Sequence, residues 1–180
     1  MEPMNYAIVL YMNDEKAAMV KEWIRELAPV CGSDYCLGTE PHITISAIIA
    51  DDEELIKEEA KKLSRILKKG EIKVGVIGVF NPFVLFLSPV VDPYLIESSQ
   101  KANDHMLKVS EIGNKGRYIP GNWVPHMAVA MKLDKEGLYK GFARLSDIFA
   151  PFCAEIDRMA LIKWEEENPY QELAVYDLKN

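Results

Sequence analysis

The sequence predicts an α+β protein built from two related lobes with mainly antiparallel sheets. Short apolar runs and helical patterns alternate along the chain in the order β-α-β-α-β-β-α-β-α-β-β. The two halves of this order are alike, because each contains a strand that begins with Pro-His, then a helix, then a pair of strands. No segment between the halves has the composition of a linker, so we expect residues 1–180 to form a single domain.

The composition is typical of a soluble globular protein. The chain has 180 residues, of which 49% are hydrophobic and 27% charged, enough to bury a sizeable core. No apolar run is long enough to span a bilayer, and the first residues lack the basic start of a signal peptide. Cys31, Cys36 and Cys153 are too few for a disulfide scaffold and are expected to be buried or idle thiols. These features predict a cytoplasmic protein.

The net charge limits the class of partner. A formal charge of −7 at pH 7 argues against broad, nonspecific binding to long nucleic acid, which needs a basic surface. It leaves open a small phosphorylated ligand, or the end of an RNA held in a locally basic cleft. No feature indicates a membrane partner, and the oligomeric state stays open.

The first half of the chain is predicted to contain two strands and two helices. A run of β-forming residues at 6–12 predicts a buried strand. Asn13 or the next residue can cap the helix that follows, and Pro29 is expected to end it. The second strand, residues 41–50, begins with Pro-His, and Asp51 then opens a helix that reaches about residue 69. Apolar residues at four-residue spacing predict the buried face of the first helix: Met19, Trp23 and Leu27.

The second half begins with a predicted hairpin whose turn is signalled by Asn81 and Pro82. Asp92 caps a helix with proline at its first position, and this helix carries His105, which is expected on the surface. A glycine-rich, locally basic loop at 113–122 precedes the second Pro-His strand. The predicted elements of this half are strands at 71–80, 83–87, 123–133, 154–164 and 172–178, and helices at 92–109 and 134–149.

The repeated Pro-His frame is the main functional signal. His42 and His126 are two of only three histidines, and each begins an apolar strand directly after a proline. Alternate residues of a strand share a face, so each histidine lies on a face with small or polar neighbours, while the large apolar residues point the other way. This arrangement favours a ligand cleft over a core position. The two faces are His42, Thr44 and Ser46 in the first copy, and His126, Ala128 and Ala130 in the second.

Two imidazoles that face one cleft can act as a general acid and a general base, because histidine titrates near neutral pH. The neutral imidazole takes a proton from an attacking hydroxyl or water, and the protonated one gives a proton to the departing oxygen. A hydroxyl such as that of Thr44 would donate a hydrogen bond to a phosphoryl oxygen. Two imidazoles and a hydroxyl are suited to phosphodiester transfer, since this reaction needs two proton transfers on opposite sides of phosphorus and no metal or other cofactor.

The two His-x-Thr-like strands, 84 residues apart, resemble those of the two-histidine (2H) phosphoesterase superfamily, which includes 2′-5′ RNA ligase-like proteins and RNA cyclic phosphodiesterases. The resemblance extends to residues 78–87 and 160–164, and so covers nearly the whole chain. It implies a bilobal, pseudo-symmetric fold with two mainly antiparallel sheets, helices on the outside and a cleft between the lobes. It also implies metal-independent cleavage of 2′,3′-cyclic phosphates or related phosphodiesters of nucleotides or RNA ends, with ligation in some members. His42 and His126 would then be the acid–base pair, and Thr44 a phosphate donor.

One position departs from the family's pattern. Ala128 stands where the second motif normally has Thr or Ser, so one of two phosphate-binding hydroxyls is absent. A lost hydrogen bond to a charged group costs about 1.5–3 kcal/mol, which is one to two decades of binding or rate. Ser46, which is predicted to share the face of the first motif, is one candidate replacement, and Arg117 or Tyr118 from the loop are others.

Three other hypotheses stay open on the sequence alone. The same fold could serve as a module that binds a nucleotide or an RNA end and turns it over slowly or not at all, a hypothesis that Ala128 favours. The histidines could bind a transition metal together with a carboxylate, although two histidines are fewer ligands than such a site usually has. Both histidines could also be purely structural, which the repeated frame makes the least attractive of the three.

Overall fold

The computed structural model describes residues 4–81, 83–165 and 170–180, and it confirms the α+β class. The strands are β1 (Met4–Met12), β2 (His42–Ala50), β3 (Gly70–Phe80), β4 (Val84–Pro89), β5 (Glu111–Ile112), β6 (Met127–Met131), β7 (Phe152–Trp164) and β8 (Gln171–Asp177). The helices are α1 (Asp14–Cys31), α2 (Glu53–Leu63), α3 (Pro93–Met106) and α4 (Lys135–Ile148). The predicted order is confirmed with one addition, β5, which is too short to leave a periodic pattern in the sequence. The turn predicted at Pro82 lies partly outside the described residues.

All eight described strands belong to one antiparallel sheet. Its order is β5-β2-β1-β7-β3-β4-β6, and β8 pairs with β7. Residues 152–156 of β7 pair with β3, and residues 156–164 pair with β1 on the opposite edge. The two sheets predicted from the sequence are therefore two halves of a single sheet. This correction follows from the 13-residue length of β7, which lets one strand serve both halves.

The sheet divides into two lobes that exchange helices. We call β5, β2, β1, β8 and the end of β7 the first lobe, and the start of β7 with β3, β4 and β6 the second lobe. Helix α1 follows β1 but packs on α4 and β6, and α3 follows β4 but packs on α2 and β2. The indole of Trp23 in α1 packs edge-on against Phe149 and Phe152, with ring centroids 5.7 and 5.8 Å away. Each lobe is thus completed by a helix from the other half of the chain.

The main core lies between the sheet and the helices. Residues 6–12 of β1 are all buried, as predicted. Trp23 and Leu27 of α1 are buried in this core, and Met19 is partly buried against it, so the predicted face of α1 is confirmed. A smaller apolar cluster lies on the opposite face of the sheet and consists of Ala7, Val9, Tyr11, Ala160 and Ile162, with Tyr170 packed against it.

The predicted end of α1 at Pro29 is wrong. The helix continues to Cys31, because a proline in the last turn removes only one backbone hydrogen bond. Gly32 ends the helix in the left-handed conformation, with a φ of 67°. None of the four described helices is long and apolar enough to cross a membrane.

The predicted bounds of α2 also need correction. Its cap is Asp52 rather than Asp51, since the Asp52 carboxylate accepts a hydrogen bond of 3.0 Å from the backbone N–H of Leu55. The helix ends at Leu63, well before residue 69. The segment that follows leaves the helical path because its backbone pairs with the C-terminal end of the chain: Lys69 donates a hydrogen bond of 3.1 Å to the carbonyl of Lys179.

His105 is not the surface residue that the sequence predicted. Its side chain is 14% exposed and lies between α3 and α2, where its Nε2 is 2.9 Å from a carboxylate oxygen of Glu59. The sequence pattern could not reveal this partner, because Glu59 becomes a neighbour only when the two helices pack together.

Candidate active site

Both histidine strands carry a β-bulge at the same position. The extra residue is Ile45 in β2 and Val129 in β6, and each lies three residues after the histidine of its strand. A bulge adds one residue to one strand of a pair, so the alternation of side chains between the two faces shifts by one beyond it. His42 begins β2 and His126 directly precedes β6, so each histidine has the same position relative to a bulge, one in each lobe.

The bulge in β2 separates Thr44 from Ser46. Thr44 pairs with Val9 of the cluster on the face without helices, and its side chain is 8% exposed. Ser46 pairs with Ile8 of the main core, is fully buried, and donates a hydrogen bond of 3.1 Å to Oδ1 of Asn103. The prediction that Ser46 shares the face of His42 and Thr44 is therefore wrong, because strict alternation fails at the bulge. Ser46 does not line the cleft.

The bulge in β6 has the same effect. Ala128 pairs with Phe86 and faces the cleft, whereas Ala130 pairs with Leu85 and is buried in the main core. The expectation that Ala130 shares the face of His126 is wrong for the same reason.

A buried polar cluster stabilises the bulge in β2. The carbonyl of Ile45 accepts hydrogen bonds from the Ser99 hydroxyl (3.2 Å) and from Nδ2 of Asn103 (3.0 Å), both on α3. The same Asn103 amide lies 3.1 Å from the carbonyl of Tyr118 in the loop that precedes β6. Sequence reasoning missed these residues. The available signal was a pair of polar residues, Ser99 and Asn103, four positions apart beside the apolar face of a helix.

One backbone carbonyl orients each histidine. Nδ1 of His42 lies 2.7 Å from the carbonyl of Glu40, and Nδ1 of His126 lies 2.8 Å from the carbonyl of Val124. A carbonyl only accepts hydrogen bonds, so Nδ1 carries the proton in both rings. In a neutral imidazole this leaves Nε2, on the other edge of the ring, as a proton acceptor.

Both histidines line one cleft of about 930 Å³. The structure brings together His42, Thr44, Arg117, Tyr118 and His126, which are five of the six predicted site residues. The charged side chains among the lining residues that the structure describes are Arg117, Lys132 and Glu165. The described lining residues thus carry one more positive than negative side chain, although the whole chain carries a charge of −7.

The two histidines have different neighbours. The ring of His126 lies 4.8 Å from Phe80, 5.4 Å from Phe86 and 6.0 Å from Tyr118, measured between ring centroids. The ring of His42 lies 5.5 Å from that of Tyr170. Of these aromatic neighbours only Tyr118 was predicted as a site residue; the others were not, because their distance from the histidines along the chain hides their proximity. The second lobe therefore presents aromatic groups around its histidine.

Tyr170 is held by a tyrosine of the cluster below it. The hydroxyls of Tyr11 and Tyr170 are in contact, and the Tyr11 hydroxyl donates a hydrogen bond of 2.8 Å to Oε2 of Glu172. Burial raises the pKa of Tyr170 to about 12, and also raises the pKa of Tyr11, so both phenols stay protonated at neutral pH. This contact fixes the ring of Tyr170 beside His42.

Burial lowers the pKa of both imidazoles below the ordinary value of 6.5. The carbonyls of Glu40 and Val124 oppose this effect, because they accept a hydrogen bond from the ring. The positive charge of a protonated His126 lowers the pKa of His42 further. Both rings are therefore mainly neutral at pH 7.

The described residues do not support a metal site. Within residues 4–81, 83–165 and 170–180, no group of three or more His, Cys, Asp and Glu side chains could hold an ion. Cys31 and Cys36 are buried and unpaired with each other, as predicted, whereas Cys153 is exposed. Burial raises the pKa of Cys36, which lines the cleft, to about 12, so this cysteine remains a thiol.

Comparison with known proteins identifies the family. A family model described as the 2′-5′ RNA ligase superfamily matches residues 16–168, which is most of the chain. The protein therefore belongs to the 2′-5′ RNA ligase superfamily, a group of 2H phosphoesterases. No curated protein sequence matches the chain.

Solved structures share the fold. A phosphoesterase is 15% identical with a TM-score of 0.67, and the match covers 99% of this chain and 100% of that one. Escherichia coli LigT complexed with 3′-AMP is 13% identical with a TM-score of 0.63, over 99% of this chain and 100% of LigT. Kluyveromyces marxianus Usb1 is 10% identical with a TM-score of 0.52, over 98% of both chains. At these identities the likeness shows a common fold.

Proposed function

We propose that the protein is a metal-independent phosphodiesterase that opens a 2′,3′-cyclic phosphate, or cleaves a related phosphodiester, on a nucleotide or an RNA end. The observation that carries this proposal is the pair His42 and His126, which line one cleft with Nδ1 bonded to a backbone carbonyl in each ring. Membership in the 2′-5′ RNA ligase superfamily supports phosphodiester chemistry. The LigT structures complexed with 3′-AMP, NADP⁺ and ATP support a nucleotide as the ligand of a cleft of about 930 Å³.

The two imidazoles divide the proton transfers between them. The neutral histidine takes a proton from water through Nε2 while the water oxygen forms a bond to phosphorus. The bond from phosphorus to the 2′ or 3′ oxygen breaks, and the protonated histidine gives its proton to that oxygen. The products are a phosphomonoester and a free hydroxyl. One proton then returns through solvent from the histidine that acted as base to the histidine that acted as acid, and the site is restored.

Thr44 and Arg117 are proposed to bind the phosphoryl group. The Thr44 side chain follows His42 on the face of β2 that lines the cleft, and the exposed Arg117, which also lines the cleft, belongs to the loop that joins β5 to β6. Charge-assisted hydrogen bonds from these groups would offset the negative charge that builds on phosphorus during attack.

A second candidate is a module that binds a nucleotide or an RNA end and turns it over slowly or not at all. Ala128 favours it, because the strand of His126 offers no hydroxyl and its neighbours Phe80 and Phe86 are apolar. Calorimetric titration with 3′-AMP, together with long incubation with 2′,3′-cyclic AMP, separates the two candidates. Tight binding of 3′-AMP without any product would favour the binding module.

The acid–base assignment is tested by replacing each histidine with alanine and measuring the opening of 2′,3′-cyclic AMP in the presence of a chelator. His42→Ala and His126→Ala should each lower kcat/KM by about 10²–10⁴-fold, the usual contribution of one general acid or base. His105→Gln is the matched control, since His105 is the third histidine of the chain and pairs with Glu59 away from the cleft. Full turnover by both cleft variants would contradict the assignment.

A further inference from the structure

The strand of His126 lacks a hydrogen-bond donor where a phosphoryl group would need one. Ala128 lies two residues after His126 and lines the cleft with a methyl group only. Phe86, its partner on β4, stacks with Phe80 at a centroid distance of 4.4 Å, and both rings also pack against His126. The residues of β3, β4 and β6 that line the cleft are therefore apolar, and a donor has to come from another segment.

Tyr118 lies between the two histidine strands. Its ring is 6.0 Å from the ring of His126 and tilted by 31° relative to it, and the side chain lines the cleft. Thr44 of the first lobe lines the same cleft, and its hydroxyl lowers the pKa of the Tyr118 phenol. One aromatic side chain thus lies beside the histidine of the second lobe in the cleft that Thr44 also lines.

Two partly buried hydrogen bonds anchor the loop that carries Tyr118. Nδ2 of Asn103 lies 3.1 Å from the carbonyl of Tyr118 itself, and Nε1 of Trp123 donates a hydrogen bond of 2.9 Å to the carbonyl of Thr44. The loop at 113–122, which the sequence predicts to be basic and to offer Arg117 or Tyr118 as a donor, is tied to α3 at Tyr118 and to β2 at Trp123, the residue that follows the loop. Tyr118 is therefore held in position before any ligand arrives.

The other hydroxyls that line the cleft are less suitable. The Thr39 hydroxyl donates to the carbonyl of Cys36 at 3.0 Å, and the Tyr170 hydroxyl is in contact with that of Tyr11. Tyr35 lies under the ammonium group of Lys132, which is 4.6 Å from the centre of its ring. The ring of Tyr118, in contrast, lies beside that of His126, and its backbone carbonyl is held by Asn103, which also binds the carbonyl of Ile45 in β2.

We propose that the Tyr118 hydroxyl donates a hydrogen bond to the phosphoryl group of the substrate and supplies the donor that is absent at Ala128. This inference rests on the proposed function, since it concerns the same cleft and the same phosphoryl group. Burial raises the pKa of the Tyr118 phenol, so the hydroxyl keeps its proton at neutral pH. The nearby charge of Arg117 and the Thr44 hydroxyl oppose part of this shift, as expected for a phenol near positive charge and a hydrogen-bonding partner.

The test is a double-mutant cycle on the opening of 2′,3′-cyclic AMP. Tyr118→Phe should lower kcat/KM by about 10- to 100-fold, the loss expected for one hydrogen bond to a charged group. Ala128→Thr should change kcat/KM by less than about threefold in the wild-type background, yet recover roughly tenfold or more in the Tyr118→Phe background, since the two donors would serve the same group. Equal effects of Ala128→Thr in both backgrounds, or an unaffected Tyr118→Phe variant, would overturn the proposal.

A matched control and a second readout keep the test decisive. Tyr139→Phe removes a phenol from the exposed surface of α4 and should leave kcat/KM unchanged. Calorimetric titration with inorganic phosphate measures the same hydrogen bond without turnover: Tyr118→Phe should weaken binding, and added Ala128→Thr should restore it.

If the wild type turns over no cyclic nucleotide but shows this phosphate pattern, the proposed function fails and the Tyr118 inference stands. If turnover occurs without any effect of Tyr118, only the inference fails, and if the wild type neither turns over nor binds phosphate, both fail.

Discussion

At the scale of single residues, the backbone around each histidine determines which ring nitrogen is available for chemistry. The carbonyl two positions before His42 or His126 accepts a hydrogen bond from Nδ1, so the neutral ring presents Nε2 as a base. The two copies then diverge, because Thr44 keeps a hydroxyl that Ala128 lacks. Pseudosymmetry therefore extends to the two histidines but not to the hydroxyl two residues after them.

Asn103 forms hydrogen bonds to both sides of the bulge in β2, the strand of His42, and its replacement tests their contribution to stability. Asn103→Leu removes the partner of the Ser46 hydroxyl and one donor to the Ile45 carbonyl, and both groups are buried. Unpaired buried groups cost about 1–3 kcal/mol, so the free energy of unfolding should fall by about that amount in a urea titration.

Gln100→Leu is the matched control for Asn103→Leu, because Gln100 lies on the exposed face of the same helix and bonds only to Asp104 among the residues described. Its effect should stay within about 0.5 kcal/mol. Equal stabilities of the two variants would show that the polar cluster does not support the bulge.

At the scale of the elements, α1 and α4 pack very closely, and this contact joins the first half of the chain to the second lobe. A Cβ added at Gly137 of α4 would overlap the carbonyl oxygen of Cys31, and one added at Gly141 would overlap the Cys31 sulfur. Glycine is present at both positions because α1 lies so close to α4 that it leaves no room for a Cβ atom there.

Gly137→Ala is therefore predicted to destabilise the protein although alanine is the better helix former. The propensity gain is about 1 kcal/mol, whereas overpacking against rigid backbone costs about 1–3 kcal/mol. The urea midpoint should fall for Gly137→Ala. Gly75→Ala serves as the control, because nothing lies within 4 Å of its added Cβ, and its midpoint should stay nearly unchanged. A more stable Gly137→Ala variant would contradict the packing described here.

The elements also show where sequence reasoning succeeds and where it fails. Strands and helices were predictable because their apolar periodicity is local, and His42, Thr44 and His126 were predictable because their frame repeats. The end of α2 and the face of Ser46 were not, since they depend on pairing with Lys179 and on a bulge against β1. A bulge leaves no pattern in a single strand, because it is defined by the register with its partner.

At the scale of the whole molecule, the site exists only where the two lobes meet. His42 belongs to the first lobe and His126 to the second, and the loop that carries Tyr118 crosses from one to the other. The similar halves of the sequence predicted two lobes, and the family resemblance placed the cleft between them. The continuous sheet through β7 and the exchanged helices, in contrast, are contacts between distant segments. No local pattern contains that information.

The pH dependence of kcat/KM for 2′,3′-cyclic AMP tests the two-histidine account most directly. One imidazole must be neutral and the other protonated, so the rate should follow a bell, falling at low pH as the base gains a proton and at high pH as the acid loses one. Burial lowers the pKa of both His42 and His126, so the maximum should lie below pH 6.5, the ordinary pKa of histidine.

The rate should decline from this maximum towards pH 8, and His105→Gln should leave the bell unchanged. A rate that is constant across the range from about pH 5 to 8, where histidine changes its charge, would contradict the assignment of His42 and His126 as acid and base.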